Sequence, residues 1–576
     1  YAGLHVFDST GAVQESWFQL SEHGIAIAVD ECEAVYPLTI DPVVQEAYLK
    51  ASNPDALDAF GSAVAISGDR AVVGCWRERS QATGIDGDGA DNSAFNAGAA
   101  YAFHRVAGAW VQDGYLKASN TDAEDRFGHA IAISGDLIVV GASGEASNSI
   151  GVNGNQLDNS APNAGAAYVF ENQGGAWQQV AYLKASNASV GDYFGSAVAI
   201  DGERIVVGAR GEGSSSVGVD GDQANNSAGA SGAAYVFERV AGAWTQVAYL
   251  KAHNTGSGDN FGAACALAGD RILIGAPLED SSGTGVDGAD NNDVDRAGAA
   301  YSFVRVGGIW SQDGYFKSTA PGIRDEFGQT LTITDDWAVV GTPGIDGPSG
   351  TFEDAEQGAA YAYRAIGGSW EFVQEILPLT TFGQQLFASS VCLLGSRLYV
   401  GAALDSSEVN AEVDSFGRNH EFSAGAVYVF DWNGVAWVQQ RTVRATYQGG
   451  GDGFGSSAQA TPSYLIVGAP GEDSGLAGVD RDPSDDSMTL AGAAYIFNFD
   501  VPSENFCGPS AHNLSGRSAT ISYSGSLSVA SNDFVLHADG MTTQRLGYFL
   551  SSRTQGWYVQ PGGARGNLCL GGTSPI

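Results

Sequence analysis

FGSAVAISGDRAVVG, residues 60–74, decides the fold, because the chain repeats it. It returns as FGHAIAISGDLIVVG at 127–141 and as FGSAVAIDGERIVVG at 194–208. Further copies begin at Phe261, Phe327 and Phe454, and a degenerate copy begins at Phe387-Ala388, with successive spacings of 67, 67, 67, 66, 60 and 67 residues. A fixed period of this length is the mark of a repeat architecture.

Each repeat contains four segments that have the composition of strands. In the first repeat they are SAVAI (62–66), RAVVG (70–74), GAAYAFHRV (98–106) and AWVQDGYLKAS (109–119), which we name strands A, B, C and D. Each is short, rich in Val, Ala and aromatic residues, and bounded by Gly, Asp or Asn, which is typical of half-buried antiparallel strands. Four-stranded units repeated seven times predict an all-β fold, a seven-bladed β-propeller.

The last repeat lacks its own strand D. It ends at AGAAYIFNF (491–499), whereas a D-like segment, VVQEAYLKAS (43–52), precedes the first strand A. We therefore expect this N-terminal strand to complete the seventh blade and close the ring, which also protects an edge that would otherwise aggregate. The predicted domains are an N-terminal β segment at 1–41 (a cap or the end of a larger domain), the propeller at 42–500, and a small C-terminal β domain at 501–576, complete or truncated.

The balance of acidic and basic residues limits the kinds of binding partner that we expect. Asp and Glu number 66 against 27 Lys and Arg, which gives a net charge of −39. Such a surface repels phosphate backbones and anionic headgroups, so we expect neither nucleic-acid nor membrane-surface binding. No apolar run approaches the roughly 18 residues that would cross a bilayer.

Several repeat positions have structural interpretations. A Trp opens six of the D strands, and its constant place predicts packing between blades rather than a ligand cage. An Asp two places before each Phe, replaced by Gln385 in blade 6, is expected to accept backbone N–H bonds in the D–A turn. Cys75, Cys265 and Cys392 fall in predicted strands, where a buried free thiol is the simplest interpretation. The Trp positions are 110, 177, 244, 310, 370 and 437, and the Asp positions are 58, 125, 192, 259, 325 and 452.

The repeats resemble a known family. Phe261-Gly262 with Gly275-Ala276-Pro277, and Phe454-Gly455 with Gly468-Ala469-Pro470, are similar to bacterial FG-GAP repeats, relatives of the integrin alpha-subunit propeller. The resemblance covers about residues 43–500 and implies adhesion, scaffolding or, occasionally, an enzyme. The family's calcium loop lies between strands A and B. Here that turn is only Ser67-Gly68-Asp69 or its equivalents, so the family's calcium site cannot be carried over.

The flanking segments also resemble parts of exported proteins. YPLTIDP (36–42) is similar to the lead-in of FG-GAP arrays in large secreted bacterial proteins, and GNLCLGGTSPI (566–576) resembles a C-terminal β module of exported planctomycete-type proteins. These resemblances imply a bacterial protein that is secreted, extracellular or attached to the cell surface. Cys507 and Cys569 flank the C-terminal segment and are a candidate disulfide, which would suit an oxidising compartment.

The long B–C loops carry the candidate metal ligands. Five of them place a Glu near the loop start and then Asp or Asn at alternating positions of a Gly-containing segment, and hard oxygen ligands of this kind suit Ca²⁺. The alternative is that Asp, Asn and Ser fold the loops by bonding their own backbone, with no ion present. The candidate ligands are Glu78, Asp86, Asp88 and Asp91; Glu145, Asn153, Asn155 and Asp158; Glu212, Asp220, Asp222 and Asn225; Glu279, Asp287, Asp290 and Asp293; and Glu472, Asp480, Asp482 and Asp485.

Catalysis finds no support in the sequence. The eight histidines show no metal-ligand spacing, and neither a nucleophile elbow nor a phosphate-binding Gly loop is present. We therefore expect a non-catalytic binding, adhesion or structural propeller, stabilised by Ca²⁺, whose B–C and D–A loops meet a glycan or protein ligand. The alternatives are an exported polysaccharide hydrolase or lyase, and a self-assembling building block of a surface layer or filament.

Overall fold

The computed structural model describes residues 45–345, 357–379, 385–406 and 423–499 with their side chains, and the backbone of short strands closer to the two ends. The chain divides into two compact units. One comprises Glu46–Arg105 and Trp110–Ile496, and the other comprises Tyr1–Gln45, Val106–Ala109 and Phe497–Ile576. Every regular element in the described residues is a β-strand.

Seven antiparallel sheets form the propeller, and each contains strands A, B, C and D in that order. Strands A are Ala63–Ser67, Phe127–Ser134, Phe194–Asp201, Ala264–Ala268, Thr330–Ile333, Phe387–Leu394 and Ser457–Ala460. Strands B are Arg70–Cys75, Leu137–Ala142, Arg204–Ala209, Arg271–Ala276, Trp337–Thr342, Arg397–Ala402 and Tyr464–Ala469. Strands C are Ala99–Val106, Ala166–Gln173, Ala233–Val240, Ala299–Val306, Ala359–Ile366, Ala426–Trp432 and Ala493–Asn498.

Strands D complete the blades and confirm how the ring closes. They are Ala109–Leu116, Ala176–Leu183, Ala243–Leu250, Ile309–Lys317, Ser369–Ile376 and Trp437–Val443 in blades 1 to 6, and Val44–Leu49 in blade 7. The seventh sheet therefore pairs the last strand C with Val44–Leu49, the strand that precedes blade 1, as the sequence predicted. Blade 4 has a fifth short strand, Gly285–Val286, which comes from its B–C loop and pairs with strand D.

The Phe-Gly motif is explained by the contact between neighbouring blades. Phe127 is fully buried, and its ring lies 5.5 Å from the ring of Tyr168 in the same blade. Gly128 has φ +87°, and a Cβ on it would lie 2.1 Å from the carbonyl oxygen of Ala99 in the preceding blade. Glycine is favoured at a left-handed residue that approaches another backbone this closely, because it has no Cβ. The motif is therefore the point at which each blade docks on its neighbour.

The tryptophans at the start of strands D pack between blades, as predicted. All six are at most 6% exposed. The ring of Trp110 in blade 1 lies 5.6 Å from Tyr464 in blade 7, and Arg70 in blade 1 covers the ring of Trp177 in blade 2 at 5.4 Å. Aromatic side chains therefore pack across blade boundaries, within core clusters that consist mainly of Val, Ile, Leu and Ala.

The remaining strands lie in two further sheets. One contains Val13–Gln14, Leu4–Phe7, Leu38–Pro42 and Glu504–Phe506 in spatial order, and the other contains Ser16–Ser21, Gly24–Val29, Thr520–Ser524, Val535–Asp539 and Tyr548–Phe549. Both sheets combine strands from the two ends of the chain. Cys32, Cys507 and Cys569 lie outside the described residues. Cys75, Cys265 and Cys392 are free thiols in strands, and Cys75 and Cys392 are buried. None of the described segments forms a helix of the length and hydropathy needed to cross a membrane.

Candidate functional site

The long connections of the propeller share one face. In blade 1, strand B ends at Cys75 and strand C begins at Ala99, whereas strands A and B are joined by a tight turn at Gly68-Asp69. The B–C loops and the D–A turns therefore occupy the same end of every blade, which we call the loop face. Binding residues commonly lie in loops that a rigid scaffold holds, so the loop face is the candidate functional site.

A buried ion pair holds the base of each of five B–C loops. The Glu at the loop start is at most 3% exposed and meets a fully buried Lys from strand D or the residue that follows it. The Nζ–Oε2 distances are 2.7 Å for Lys117–Glu78, 2.8 Å for Lys184–Glu145, 3.0 Å for Lys251–Glu212, 2.7 Å for Lys317–Glu279 and 2.7 Å for Lys50–Glu472. These five glutamates were predicted as metal ligands, and the structure pairs them with lysine instead.

A Tyr and an Asn complete the environment of the Glu in blades 1, 2 and 4. In blade 1, the Tyr115 hydroxyl donates to Glu78 Oε1 at 2.8 Å, and Asn53 Nδ2 lies 3.3 Å from the same oxygen. Asn53 follows the strand D of blade 7, so the Glu connects two blades. Asn120, Asn187 and Asn254 repeat this contact with the glutamates of blades 2, 3 and 4. A buried charge that is both paired and hydrogen-bonded fixes the loop base in one geometry.

Blades 5 and 6 change both members of the pair together. Blade 6 has Asp405 and Arg444, whose Oδ2 and Nη2 atoms lie 3.3 Å apart. Blade 5 has Ile345 and Leu377 at the same two repeat positions. The sequence signal was therefore present and was missed: the Lys of the recurring YLK segment, YFK in blade 4, lies 38 or 39 residues after the Glu in blades 1 to 4.

The second predicted ligand position has a backbone role. Asp86 has φ +54°, and its Oδ1 accepts the N–H of Tyr115 in strand D at 2.9 Å. Asp and Asn adopt left-handed backbone more readily than other residues with side chains, and their short polar groups reach nearby N–H groups. This hydrogen bond therefore fixes the loop to strand D, and either Asp or Asn can form it. The equivalents with φ between +51° and +55° and the same bond are Asn153, Asp220, Asp287 and Asp480.

The remaining predicted ligands lie in the outer part of the loops. Asp88 and Asp91 accept the N–H groups of Ala90 and Ser93, two residues further on, as Asx turns do. Bonds of this type recur at Asn155, Asp158, Asp222, Asn225 and Asp482, whereas Asp485 accepts the N–H of Gly475. Asp290 lies 3.8 Å from His253 Nε2, and Asp293 is exposed.

These carboxylates do not gather around one point. Within the described ranges, no group of three or more His, Cys, Asp or Glu side chains is arranged to hold a metal ion. The oxygen atoms at the loop bases are engaged by Lys, Tyr and Asn, so the ligand set that we predicted is not assembled. Calcium binding by the predicted loop residues stays a prediction.

The Asp before each Phe-Gly accepts a backbone N–H, as predicted. Asp125 Oδ2 accepts the N–H of Asp122 at 2.8 Å, and the same bond occurs at Asp58, Asp192, Asp259, Asp325 and Asp452. Burial is the main cause that raises the pKa of this carboxyl group, to about 7 in Asp58, 8 in Asp125, 7 in Asp192, 6 in Asp259 and 7 in Asp452. The D–A turns therefore contain carboxyl groups that titrate near neutral pH.

Blade 1 departs from the repeat at the loop face. A cleft of about 320 Å³ lies between blades 7 and 1 and is lined by Ser52, Asn53, Asp86, Gly89 and Gln112, among others. In blades 2 and 3 the position of Gly89 is occupied by Gln156 and Gln223, whose side chains accept hydrogen bonds from Ser119 and Ser186. Gly89 has no side chain to place there, which leaves the cleft open.

Comparison with known proteins agrees with this architecture. Residues 43–103, 110–170, 177–237 and 244–303 match the family described as FG-GAP repeat. Each match begins in or before a strand D and ends in the strand C of the next blade, so the family unit is offset from the blade. No curated protein matches the chain. The chain thus forms a seven-bladed β-propeller, and four of its segments match the FG-GAP repeat.

Proposed function

We propose that this protein is an extracellular, non-catalytic binding protein whose ligand, a glycan or another protein, meets the loop face. The observation that carries the proposal is the buried Glu–Lys pair at the base of five B–C loops. A loop that is held in advance loses less conformational entropy when a ligand binds. The turns at the opposite end are minimal and offer no comparable platform.

The outer parts of the loops suit recognition of a polar ligand. They present Asp, Asn, Ser and Gly, and the cleft beside Gly89 is lined by hydroxyl, amide and carboxylate groups. The integrin-like fold supports a binding or structural role, since such propellers serve as platforms. Calcium bound by the exposed carboxylates would add to the rigidity of the same loops.

The experiment blocks one face at a time. A cysteine is introduced at exposed Ser93 in the loop face, or at Glu203 in an A–B turn of the opposite face as the matched control, and each is coupled to a 5 kDa polyethylene glycol. The chain without an introduced cysteine is treated with the same polymer, which measures the effect of coupling to its native cysteines. The probes are immobilised neutral, carboxylated and sulfated polysaccharides and extracellular-matrix proteins.

We expect at least one probe to bind, and we expect the polymer at residue 93 to abolish that binding while the polymer at residue 203 leaves it intact. Binding that survives the polymer at residue 93 would contradict the assignment of the loop face. Cleavage of any bound polysaccharide, detected as new reducing ends, would contradict the non-catalytic part of the proposal.

A further inference from the structure

Blade 1 begins its B–C loop with residues that no other blade has. Trp76-Arg77 stands where blades 4, 5 and 7 begin with Pro277, Pro343 and Pro470. Arg77 lies over the ring of Trp76, with its Cζ 4.4 Å from the ring centroid, and Trp76 meets His129 of blade 2 edge-on at 6.1 Å.

Three more arginines lie on the same part of the loop face. Arg79 follows in the same loop and lies over the exposed ring of Phe95 at 5.6 Å. Arg210 is the blade 3 equivalent of Trp76 and lies over Tyr193 at 5.2 Å. The N–H of His129 donates to the carbonyl of Arg126 at 3.2 Å, and burial and the charges of Arg210 and Arg126 lower the pKa of His129. We name Trp76, Arg77, Arg79, Arg126, His129 and Arg210 the basic patch.

The lack of ion pairs sets these arginines apart in a molecule with a net charge of −39. Arg70, Arg204 and Arg239 each meet a carboxylate within 3.3 Å. In the part of the chain that the structure describes, Arg77, Arg79 and Arg210 have no carboxylate within 4 Å. Arg126 is the exception in the basic patch, because its Nη2 lies 3.7 Å from Glu124 Oε2, and the charge of Arg79 acts on buried Asp58.

Stacking on an aromatic ring prepares a guanidinium group for an anion. The aromatic ring contacts the face of the guanidinium group and orients the group. The N–H groups at the edge of the guanidinium stay available for the two parallel hydrogen bonds that a carboxylate or sulfate accepts. Arginines spread over three neighbouring blades match an anion that repeats along a polymer. The loop of Arg77 also borders the cleft beside Gly89, where Ser52, Asn53 and Gln112 can hydrogen-bond to hydroxyl groups.

We propose that the basic patch binds the carboxylate or sulfate groups of an acidic polysaccharide. This inference rests on the proposed function, because it names the ligand class for the same face. A polysaccharide is favoured over an acidic peptide because the groups beside the patch are small and polar and suit a ligand that carries hydroxyl groups along its whole length.

The test measures binding of the full chain to immobilised polygalacturonate, dextran sulfate, neutral dextran and polyglutamate. The variant is Arg77→Gln with Arg210→Gln. The matched control is Arg324→Gln, which removes an exposed arginine of the loop face in the turn that leads into blade 5. Equal melting temperatures of the three proteins verify that both variants fold.

We expect one of the two acidic polysaccharides to bind, with an affinity that falls as salt is added. The double variant should lose about tenfold or more, since each hydrogen bond to a charged group contributes that much, and Arg324→Gln should change nothing. Unchanged binding by the double variant, or binding of polyglutamate alone, would overturn the inference.

The outcomes separate the inference from the proposed function. If neutral dextran binds and the polymer at residue 93 blocks it while the arginine variant has no effect, the binding face stands and the acidic ligand is wrong. If the polymer at residue 93 blocks no probe, the binding face itself is wrong, and the inference falls with it.

Discussion

Lys50 Nζ lies 2.7 Å from Glu472 Oε2, although 422 residues of chain separate the two, and neither side chain is more than 3% exposed. This pair joins the N-terminal strand D to the B–C loop of the blade that it completes. The same pair recurs inside four single blades, so ring closure uses the contact that each blade uses within itself.

Replacing one member of this pair should be far more costly than replacing both. Lys50→Leu leaves a buried carboxylate unpaired, and we expect a loss of about 3–5 kcal/mol in the free energy of unfolding. Lys50→Leu with Glu472→Ile removes both charges, as blade 5 does with Leu377 and Ile345, and should recover most of that loss. Urea unfolding measures both.

Lys184→Leu and Glu145→Ile in blade 2 form the matched control, because that pair does not close the ring. We expect the same ratio between the losses in free energy of unfolding of the single and double variants in blade 2. A double variant as unstable as the single one would show that packing, rather than charge, sets the cost.

The Phe-Gly contact predicts opposite effects at two equivalent positions. Gly128→Ala places a methyl group about 2.1 Å from the oxygen of Ala99 at φ +87°, and we expect a loss of at least about 1–2 kcal/mol. Ala388 occupies the same position in blade 6 with φ +70°, so Ala388→Gly should gain up to about 1 kcal/mol. The midpoints of urea unfolding report both changes. A stabilised Gly128→Ala would contradict our explanation of the motif.

The buried aspartates predict that stability falls as the pH rises. Burial raises the pKa of Asp125 to about 8 from its ordinary value of 3.8, so the folded state holds a proton that the unfolded state has released. The stabilisation is complete below about pH 4 and is lost as the pH rises through 8. Asp125→Asn keeps the acceptor and removes the titration, as Gln385 does in blade 6.

Urea unfolding between pH 5 and 9 tests this prediction. Relative to the unchanged protein, Asp125→Asn should gain on the order of 1–3 kcal/mol more at pH 9 than at pH 5. Exposed Asp91 has a pKa that hydrogen bonds from Ser93 and Gln81 lower, so Asp91→Asn should show no trend across this range. Parallel curves for all three proteins would refute the assignment.

Calcium should act weakly, if the exposed carboxylates bind it. These groups lack the glutamates and already accept backbone N–H bonds, so we expect affinity in the millimolar range. With Kd of about 1 mM, 10 mM Ca²⁺ would stabilise each site by about 1.4 kcal/mol. Melting in EDTA and with added Ca²⁺ measures the effect, and Asp88→Asn with Asp91→Asn should reduce it. An unchanged melting temperature on adding Ca²⁺ would contradict calcium binding.

The fold could be predicted from the sequence because the spacing of the repeats and the order of their strands determine the number of blades and the closure of the ring. The Phe-Gly spacing gave the number of blades, and the missing strand D after residue 499 gave the closure. These features are local or periodic. Blade 6 kept its register although Ala388 replaces glycine, because Phe387 and the surrounding strands still define the position.

The role of the loop residues was harder to predict because the deciding contacts are not local. Glu78 looked like a loop ligand beside Asp86, but its partner Lys117 lies 39 residues away, directly after strand D. Asp86 and Asn153 looked like hard ligands of unequal charge, whereas their shared left-handed φ explains why either residue serves. Side-chain composition suggested a metal site, which stays a prediction, whereas the hydrogen bonds to the backbone became visible only in the structure.

Ring closure through Val44–Leu49 also determines when folding of the propeller can be completed. The strand that this segment pairs with ends at Asn498, so during synthesis it waits for about 450 further residues. At the usual pace of a ribosome this takes roughly 20 to 90 s, while the growing propeller remains an open arc. A chain that stops before the last strand C leaves Val44–Leu49 without its partner strand. Closure therefore distinguishes complete propellers from incomplete ones, because only a propeller synthesised through its last strand C can pair both of its edge strands.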